Sequence, residues 1–186
     1  MAITERRLTL EEFLRLPEEE PPLEYLDGRV TPKVSPQGKH GMLEFGFAAL
    51  INGYAVPLKL ARAIPELRTT FGGGSPVPDL AVYRWDRVPT DPDGKVADVF
   101  REPPDIAIEV TSPGQSVSAL VKKCQWFVDQ GAEIALLVHP YQEWVRRFRP
   151  GAEPELLRGA DRIDLDRVLP GFELTVEALF ATLYHR

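Results

Sequence analysis

Residues 104–113 read Pro-Asp-Ile-Ala-Ile-Glu-Val-Thr-Ser-Pro. The part from Ile106 to Val110 predicts a β-strand, because branched apolar side chains dominate it and prolines lie on either side. Side chains alternate along a strand, so Ile108 shares one face with Ile106 and Val110, whereas Glu109 lies on the other. Burying a carboxylate is costly unless a metal ion, a cation or hydrogen bonds compensate it. Glu109 is therefore either a functional group or one arm of a structural ion pair, and the strand alone favours neither interpretation.

The length and composition are those of a globular protein. The chain has 186 residues, which suits one domain over residues 1–186 and allows ~70% of the unfolded surface to be buried. A single cysteine, Cys124, excludes an intrachain disulfide and a cysteine-based zinc cluster. The apolar runs are shorter than a membrane span, and the N-terminus lacks the apolar core of a signal peptide. We therefore expect a soluble cytoplasmic protein with no membrane partner.

The charge balance limits the nucleic-acid partners. With 22 basic and 28 acidic residues, the net charge is −6, which argues against a general nucleic-acid-binding surface. It does not exclude a nuclease, because a nuclease site is itself acidic and its basic residues can cluster locally.

The N-terminal part predicts a short helix followed by a hairpin. Thr9 and Glu12 form a capping-box pattern, and the helix they begin should end before Pro17. Residues 23–30 predict two short strands around an Asp-Gly turn, which is a strong hairpin signal. Glu24 lies inside this hairpin.

A second helix is predicted from about His40 to residues 52–53. Its apolar stripe contains His40 itself, and Glu44 lies one turn further on the flank of the stripe. The other stripe residues are Leu43, Phe47, Leu50, Ile51 and Tyr54. A histidine on an apolar face is more often a satisfied core residue than a functional one, so His40 alone does not indicate a site.

The remaining pattern predicts an α/β fold with a central mixed β-sheet flanked by helices. Further strands are predicted at residues 61–71, 77–84, 134–139, 144–149 and 155–158, and further helices at 116–130 and 176–183. The glycine-rich residues 72–76 lack the lysine and the following helix of a phosphate-binding loop, so they predict a turn. Residues 85–101 are polar and predict a surface excursion.

The two adjacent lysines of the helix predicted at residues 116–130 are expected to differ in exposure to solvent. Lys122 points to solvent, whereas Lys123 lies at the edge of the buried stripe. Trp126 points away from that stripe, so we expect either a partner chain or another element, such as the C-terminal segment, to cover it.

One constellation of residues can carry chemistry. Asp79 opens one predicted strand and Glu109 ends the next, so pairing of these strands would put both carboxylates on one face. Carboxylate oxygens of this kind suit Mg²⁺ or Mn²⁺. In phosphodiester hydrolysis a lysine often follows the glutamate by two residues, but Thr111 stands there in this chain. Lys123, on its flexible stem, could reach the same space.

Several short motifs together resemble the Uma-type family of putative restriction endonucleases, within the PD-(D/E)XK nuclease superfamily. In chain order the motifs are Leu23-Glu24-Tyr25-Leu26-Asp27-Gly28-Arg29, Ser35-Pro36 before His40, Val77-Pro78-Asp79, Glu109-Val110-Thr111-Ser112-Pro113, Lys123 before Gly131, His139-Pro140 and Leu169-Pro170-Gly171-Phe172. The chain departs from the family at Phe127, where tyrosine is usual, at His139-Pro140, which replaces Asp-Pro, and at the Glu24-Tyr25 order.

The resemblance implies a restriction-endonuclease-like core and metal-dependent cleavage of phosphodiester bonds. It implies that Asp79 and Glu109 bind Mg²⁺ or Mn²⁺ and that Lys123 is the catalytic lysine, while Glu24 and His40 match recurring positions of the site. The predicted domain then consists of a helix and hairpin at residues 9–31, a nuclease core at about 40–149 and a closing segment at 150–186.

The leading hypothesis is a Mg²⁺-dependent endonuclease acting on DNA as a homodimer, because one small site cuts one strand. The alternative is a catalytically inactive member that serves as a binding or assembly module, with Asp79 and Glu109 paired to Lys123; another kind of metal hydrolase is a third possibility. If the site is catalytic, Lys123→Ala should leave the fold intact, and Asp79→Ala should raise stability by relieving repulsion. If the pairing is structural, loss of Lys123 should destabilise the protein.

Overall fold

The computed structural model describes residues 8–185, which form a six-stranded mixed sheet and a separate two-stranded hairpin. The strands are β1 Leu23–Leu26, β2 Arg29–Pro32, β3 Ala61–Pro65, β4 Leu80–Arg84, β5 Ile106–Val110, β6 Ile134–His139, β7 Trp144–Phe148 and β8 Glu155–Arg158. The helices are α1 Leu10–Leu14, α2 Gly38–Ala55, α3 Val117–Asp129 and α4 Val176–Ala181, with a short 3₁₀ turn at Trp85–Arg87. The predicted fold class is confirmed.

The large sheet follows the chain order from β3 to β8, and β1 pairs with β2 alone. Only the central pair, β5 and β6, is parallel among the paired strands of the described residues, and α3 is the crossover between them. A parallel pair needs such a crossover, whereas the antiparallel neighbours need only short connections.

Each face of the sheet is covered by one long helix. Alternation along β5 sends Ile106, Ile108 and Val110 into a core shared with α2 and the C-terminal segment. Ala107 points the other way, into a second core beneath α3. The predicted alternation is therefore correct, and it places Glu109 on the α3 face.

Two predicted strands are shorter than expected. The prediction of a strand over residues 61–71 is wrong beyond Pro65, where Glu66 adopts φ of 50° and turns the chain out of the sheet. The strand predicted at residues 77–84 begins only at Leu80, because Pro76 and Pro78 have no N–H for a ladder. The intervening arm instead bonds to β1, where Tyr25 and Ser75 exchange backbone hydrogen bonds of 3.2 and 2.8 Å.

Helix α2 buries a slightly different stripe from the predicted one. His40, Leu43, Phe47 and Ile51 are buried as expected, but Leu50 is 37% exposed. The buried stripe is centred closer to Glu44 and Ala55, which are also buried, and this leaves Leu50 at its outer edge. The correction matters for the site, because it turns Glu44 inward.

Helix α3 has the predicted extent, with Ser116 as its N-cap, and Lys122 is exposed as expected. The side chain of Trp126 is only partly covered within the chain, and the contacts that cover it come from the glycine-rich turn rather than from the expected C-terminal segment. Phe71 lies with its ring centroid 5.2 Å from that of Trp126, and a Cβ on Gly74 would come within 2.6 Å of the indole. Gly74 therefore permits the glycine-rich turn to close over the tryptophan. Among residues 8–185, no helix combines the length and apolar character that crossing a membrane requires.

Candidate active site

Lys123 is the centre of one buried ion-paired group. Its Nζ lies 2.7 Å from Glu24 Oε1 and 2.8 Å from Glu109 Oε1, and the residue is only 9% exposed. Burial lowers the pKa of Lys123, but the charges of Glu109 and Glu24 outweigh it, so the pKa is raised above its usual range. Lys123 therefore carries a fixed positive charge.

Hairpin β1–β2 positions the Glu24 side chain next to Lys123. Glu24 lies on β1, and its Oε1 accepts a 2.7 Å hydrogen bond from the Val77 N–H. Because β1 is joined to the arm before β4 at Ser75, the carboxylate is held on the sheet side of the hairpin. Glu24 thus orients Lys123 from an element far away in the sequence.

Glu109 faces Lys123 from β5. Burial raises the pKa of Glu109 to about 7; Lys123 opposes this shift, while the charge of Asp79 adds to it. Its Oε1 forms the ion pair with Lys123 but has no well-directed hydrogen bond. A buried oxygen of this kind retains capacity for a further ligand.

Asp79, immediately before β4, belongs to a second ion-paired group. Leu80 pairs with Ile108 in the β4–β5 ladder, so Asp79 and Glu109 follow at the next position of the register. Asp79 Oδ2 accepts a 2.5 Å hydrogen bond from the Val110 N–H. Burial alone would raise the pKa of Asp79, but His40 and Lys33 outweigh it and hold the pKa below its usual range.

Lys33 is a member of the site that the sequence analysis missed. Its Nζ donates to Asp79 Oδ1 and to the Val77 carbonyl, both at 2.7 Å, and lies 3.2 Å from Glu66 Oε2. The residue stands between Pro32 and Ser35 in a segment without periodicity, so no pattern predicts its burial. The only available signal is its position just before the recurring Ser-Pro motif.

His40 connects Asp79 to the end of β5. Its Nδ1 lies 2.9 Å from Ser112 Oγ and its Nε2 lies 3.3 Å from Asp79 Oδ1. Burial lowers the pKa of His40, but Asp79 and Glu44 raise it by more. His40, Glu66 and Asp79 each offer a ligand atom, and these atoms lie within 4.8 Å of one another, close enough to share a metal ion.

Glu44 adds a further carboxylate beside this group. Its Oε2 lies 3.8 Å from His40 Nε2. Burial and the neighbouring charges of Glu66 and Asp79 raise the pKa of Glu44 to about 7. The site therefore holds more carboxylates than cations, and burial raises the pKa of both Glu44 and Glu109 above the usual range of a glutamate.

A pocket of about 680 Å³ lies beside these groups, although Glu44 and Glu66 are not part of its lining. All five residues selected from the sequence line it, namely Glu24, His40, Asp79, Glu109 and Lys123. Arg29, Lys122 and the oppositely charged Asp27 are also part of the lining. The structure brings the selected residues together, although in two groups: Glu109 pairs with Lys123, whereas Asp79 pairs with Lys33 and His40 rather than with Lys123.

Comparisons with known proteins support the fold. A crystal structure of a putative nuclease belonging to DUF820 from Anabaena variabilis has a TM-score of 0.91 to this protein and 35% sequence identity. The match covers 95% of this chain and 99% of that chain. No curated protein matches the chain.

Fold and pocket thus define an α/β protein of the nuclease-like class. The Uma2 family, described as "Putative restriction endonuclease", matches residues 10–177. The chain belongs to this family, and the resemblance drawn from its motifs is confirmed.

Proposed function

We propose that the protein is a Mg²⁺- or Mn²⁺-dependent endonuclease that hydrolyses phosphodiester bonds of DNA. The observation that carries this proposal is the buried ammonium of Lys123, held between Glu24 and Glu109 in a pocket that Asp79 also lines. We further propose that the enzyme is one domain over residues 1–186, acts in the cytoplasm and works as a homodimer, in which each pocket cuts one strand.

The donor set fits a hard divalent cation. Asp79 and Glu109 supply carboxylate oxygens at neighbouring positions of the β4–β5 register, and Glu109 Oε1 has no well-directed hydrogen bond. Mg²⁺ and Mn²⁺ prefer such oxygens and are commonly held by one or two carboxylates. A bound ion would supply Lewis-acid polarisation of the phosphate and a more acidic attacking water.

The protein's own residues have separate roles in this proposal. Lys123 donates hydrogen bonds to a phosphate oxygen, where its charge stabilises the additional negative charge of the transition state. Glu24 keeps that ammonium in place. Glu44, with its pKa of about 7, can take up or release a proton close to neutral pH. His40 positions Asp79 through its Nε2.

Cleavage assays test the proposal directly. Purified protein is incubated with supercoiled plasmid and with genomic DNA, with Mg²⁺, Mn²⁺ or a chelator. We expect metal-dependent nicking that is lost in Asp79→Asn, Glu109→Gln and Lys123→Met, but retained in Lys122→Met, which alters an exposed lysine of the same pocket. Cleavage that survives both the chelator and the three substitutions would contradict the proposal.

A second candidate is a catalytically inactive binding or assembly module, and the ion pairs favour it. Lys123 already pairs with Glu24 and Glu109, and Lys33 already pairs with Asp79, as in a structural network. This candidate predicts no cleavage and no rise in melting temperature with Mg²⁺ or Mn²⁺. The endonuclease proposal predicts cleavage and also a rise in melting temperature, because an ion that binds only the folded state stabilises it.

A further inference from the structure

The ammonium of Lys33 occupies an oxygen-rich position beside Asp79. Three oxygen atoms surround its Nζ: Asp79 Oδ1 at 2.7 Å, the Val77 carbonyl at 2.7 Å and Glu66 Oε2 at 3.2 Å. An ammonium has three donors; two of them are hydrogen-bonded, to Asp79 and Val77, and Glu66 adds an ion pair. The residue is 7% exposed, so water contributes little to its solvation.

The same oxygens are of the kind that a divalent cation selects. Carboxylates together with a backbone carbonyl are typical ligands of hard cations. Asp79 and Glu66, which hold Lys33, are also two of the three residues whose ligand atoms lie within 4.8 Å of one another. The third is His40, which is buried and whose Nε2 has no well-directed hydrogen bond.

The two basic side chains beside Asp79, Lys33 and His40, approach the same carboxylate oxygen. Its Oδ2 accepts the Val110 N–H, while Oδ1 receives Lys33 and has His40 Nε2 at 3.3 Å. An ion that approached Asp79 Oδ1 would meet the ammonium of Lys33 at short range. Like charges at this distance in a buried site repel strongly.

We propose that Lys33 is a built-in competitor of the divalent metal ion for Asp79, so that metal binding displaces its ammonium. This inference rests on the metal site of the proposed function. Lys33 also lines the pocket, and its stem is long and flexible, so the displaced ammonium has space to move into. Displacement of a paired lysine weakens metal affinity and makes loading of the site dependent on where Lys33 lies.

Metal titration of matched lysine variants tests this competition. Mn²⁺ binding to the whole protein without DNA is measured calorimetrically for wild type, Lys33→Met and Lys122→Met. Methionine keeps most of the stem length and removes the charge. We expect Lys33→Met to bind Mn²⁺ about tenfold more tightly or better, because it removes both the competing ammonium and its repulsion. Lys122→Met makes the same charge change on an exposed lysine of the pocket and should bind like wild type.

A second measurement uses the wild-type protein, so it does not depend on the folding of a variant. The rate at which an acylating reagent modifies Lys33 is followed by mass spectrometry with and without saturating Mg²⁺. Displacement exposes the amine, so Mg²⁺ should accelerate modification of Lys33 relative to the already exposed Lys122. An unchanged or slower rate at Lys33 would overturn the inference.

The outcomes separate this inference from the proposed function. If wild type binds Mn²⁺ and Lys33→Met binds it equally or more weakly, Lys33 does not compete, although the metal-dependent function stands. If neither protein binds Mn²⁺ or Mg²⁺, the metal-dependent function and the competition are both overturned. Tighter binding in Lys33→Met together with faster acylation supports the competition.

Discussion

A buried carboxylate lies near each end of strand β5, and the two differ in their partners and surroundings. Asp105, just before the strand, is fully buried; its Oδ2 accepts the Arg84 N–H at 2.8 Å, and its Oδ1 pairs with the guanidinium groups of Arg84 and Arg87. Glu109, near the other end, is 3% exposed and pairs with the ammonium of Lys123. Both carboxylates are compensated, but only Glu109 lines the large pocket.

The difference indicates how a structural buried charge can be told from one in a candidate site. The partners of Asp105 are arginines that remain about one-third exposed, so they keep part of their hydration while they close the strand end. The partner of Glu109 is a lysine that is itself buried, and Glu109 Oε1 has no well-directed hydrogen bond. Burial of a carboxylate therefore does not mark a site, whereas burial beside a cavity with ligand capacity left over does.

The largest effect is expected from Lys123→Met. Its removal leaves Glu24 and Glu109 buried without a cation, which should cost about 3–5 kcal/mol of unfolding free energy. Cleavage should fall by roughly 10²–10³-fold or more, because a transition-state donor is lost. Urea melts and plasmid nicking measure both effects, and adding Glu109→Gln should recover stability but not cleavage. The buried ion pairs thus lead us to predict a loss of stability where the sequence predicts an intact fold for a catalytic lysine, and a single variant as stable as wild type would support the sequence-based prediction.

Asp79→Ala should lower the unfolding free energy by about 3 kcal/mol, because it leaves the buried Lys33 without its carboxylate. The sequence alone predicts the opposite sign for a catalytic site. The pKa of Asp79 is held below its ordinary value of 3.8, so its contribution is present above that pH and is lost as the pH falls below it. Melts at neutral pH decide the sign, and a stabilised variant would show that carboxylate repulsion dominates instead.

A substitution at Asp105 should have a smaller effect on stability, and this effect should be separable from effects on the pocket. Asp105→Asn removes a charge from two hydrogen-bonded arginines and should cost about 2 kcal/mol of unfolding free energy. The pocket is at the other end of the strand, so the folded variant should keep wild-type Mn²⁺ affinity and cleavage. Calorimetry and nicking assays on the folded fraction check this, and a loss of metal affinity would remove the distinction between the two ends.

Glu44→Gln should have the smallest effect, and it should depend on pH. The carboxyl has a folded-state pKa of about 7 against an ordinary 4.5, so wild type loses stability as the pH rises through this interval. Glutamine cannot ionise, so the variant should be about 1 kcal/mol more stable at pH 8 and no more stable at pH 4, after allowance for screening by solvent. Thermal melts of both proteins across this range provide the test, with exposed Glu153→Gln as the matched control.

The sequence predicts the centre of the fold better than its edges. The limits of β5 and β6 and the differing exposure of Lys122 and Lys123 follow from local periodicity, because these elements bury regular apolar faces. The overlong strand beyond Pro65 arises where β propensity continues but the backbone turns. Propensity cannot detect such a turn, because Glu66 is an ordinary residue in a left-handed conformation.

The site was predictable to the extent that its residues lie on periodic elements or in family motifs. That condition is met by five residues, all of which line one pocket: Asp79, Glu109, Lys123, Glu24 and His40. Lys33 does not meet it, because its burial results from the fold of the chain around residues 31–37 over Asp79. A backbone hydrogen bond from the Lys33 N–H to the Pro22 carbonyl, at 2.8 Å, fixes that segment, and no local pattern encodes it.

The ion pair between Glu24 and Lys123 joins residues 99 positions apart in the chain. Closing a loop costs chain entropy, and folds rich in such non-local contacts fold more slowly than folds with local ones. On the ribosome, Glu24 emerges well before the lysine that it orients has been synthesised. The Glu24–Lys123 ion pair can therefore form only after α3 has been synthesised, and the pocket is incomplete until then. The order of synthesis thus delays completion of the pocket until the chain that supports it has been made.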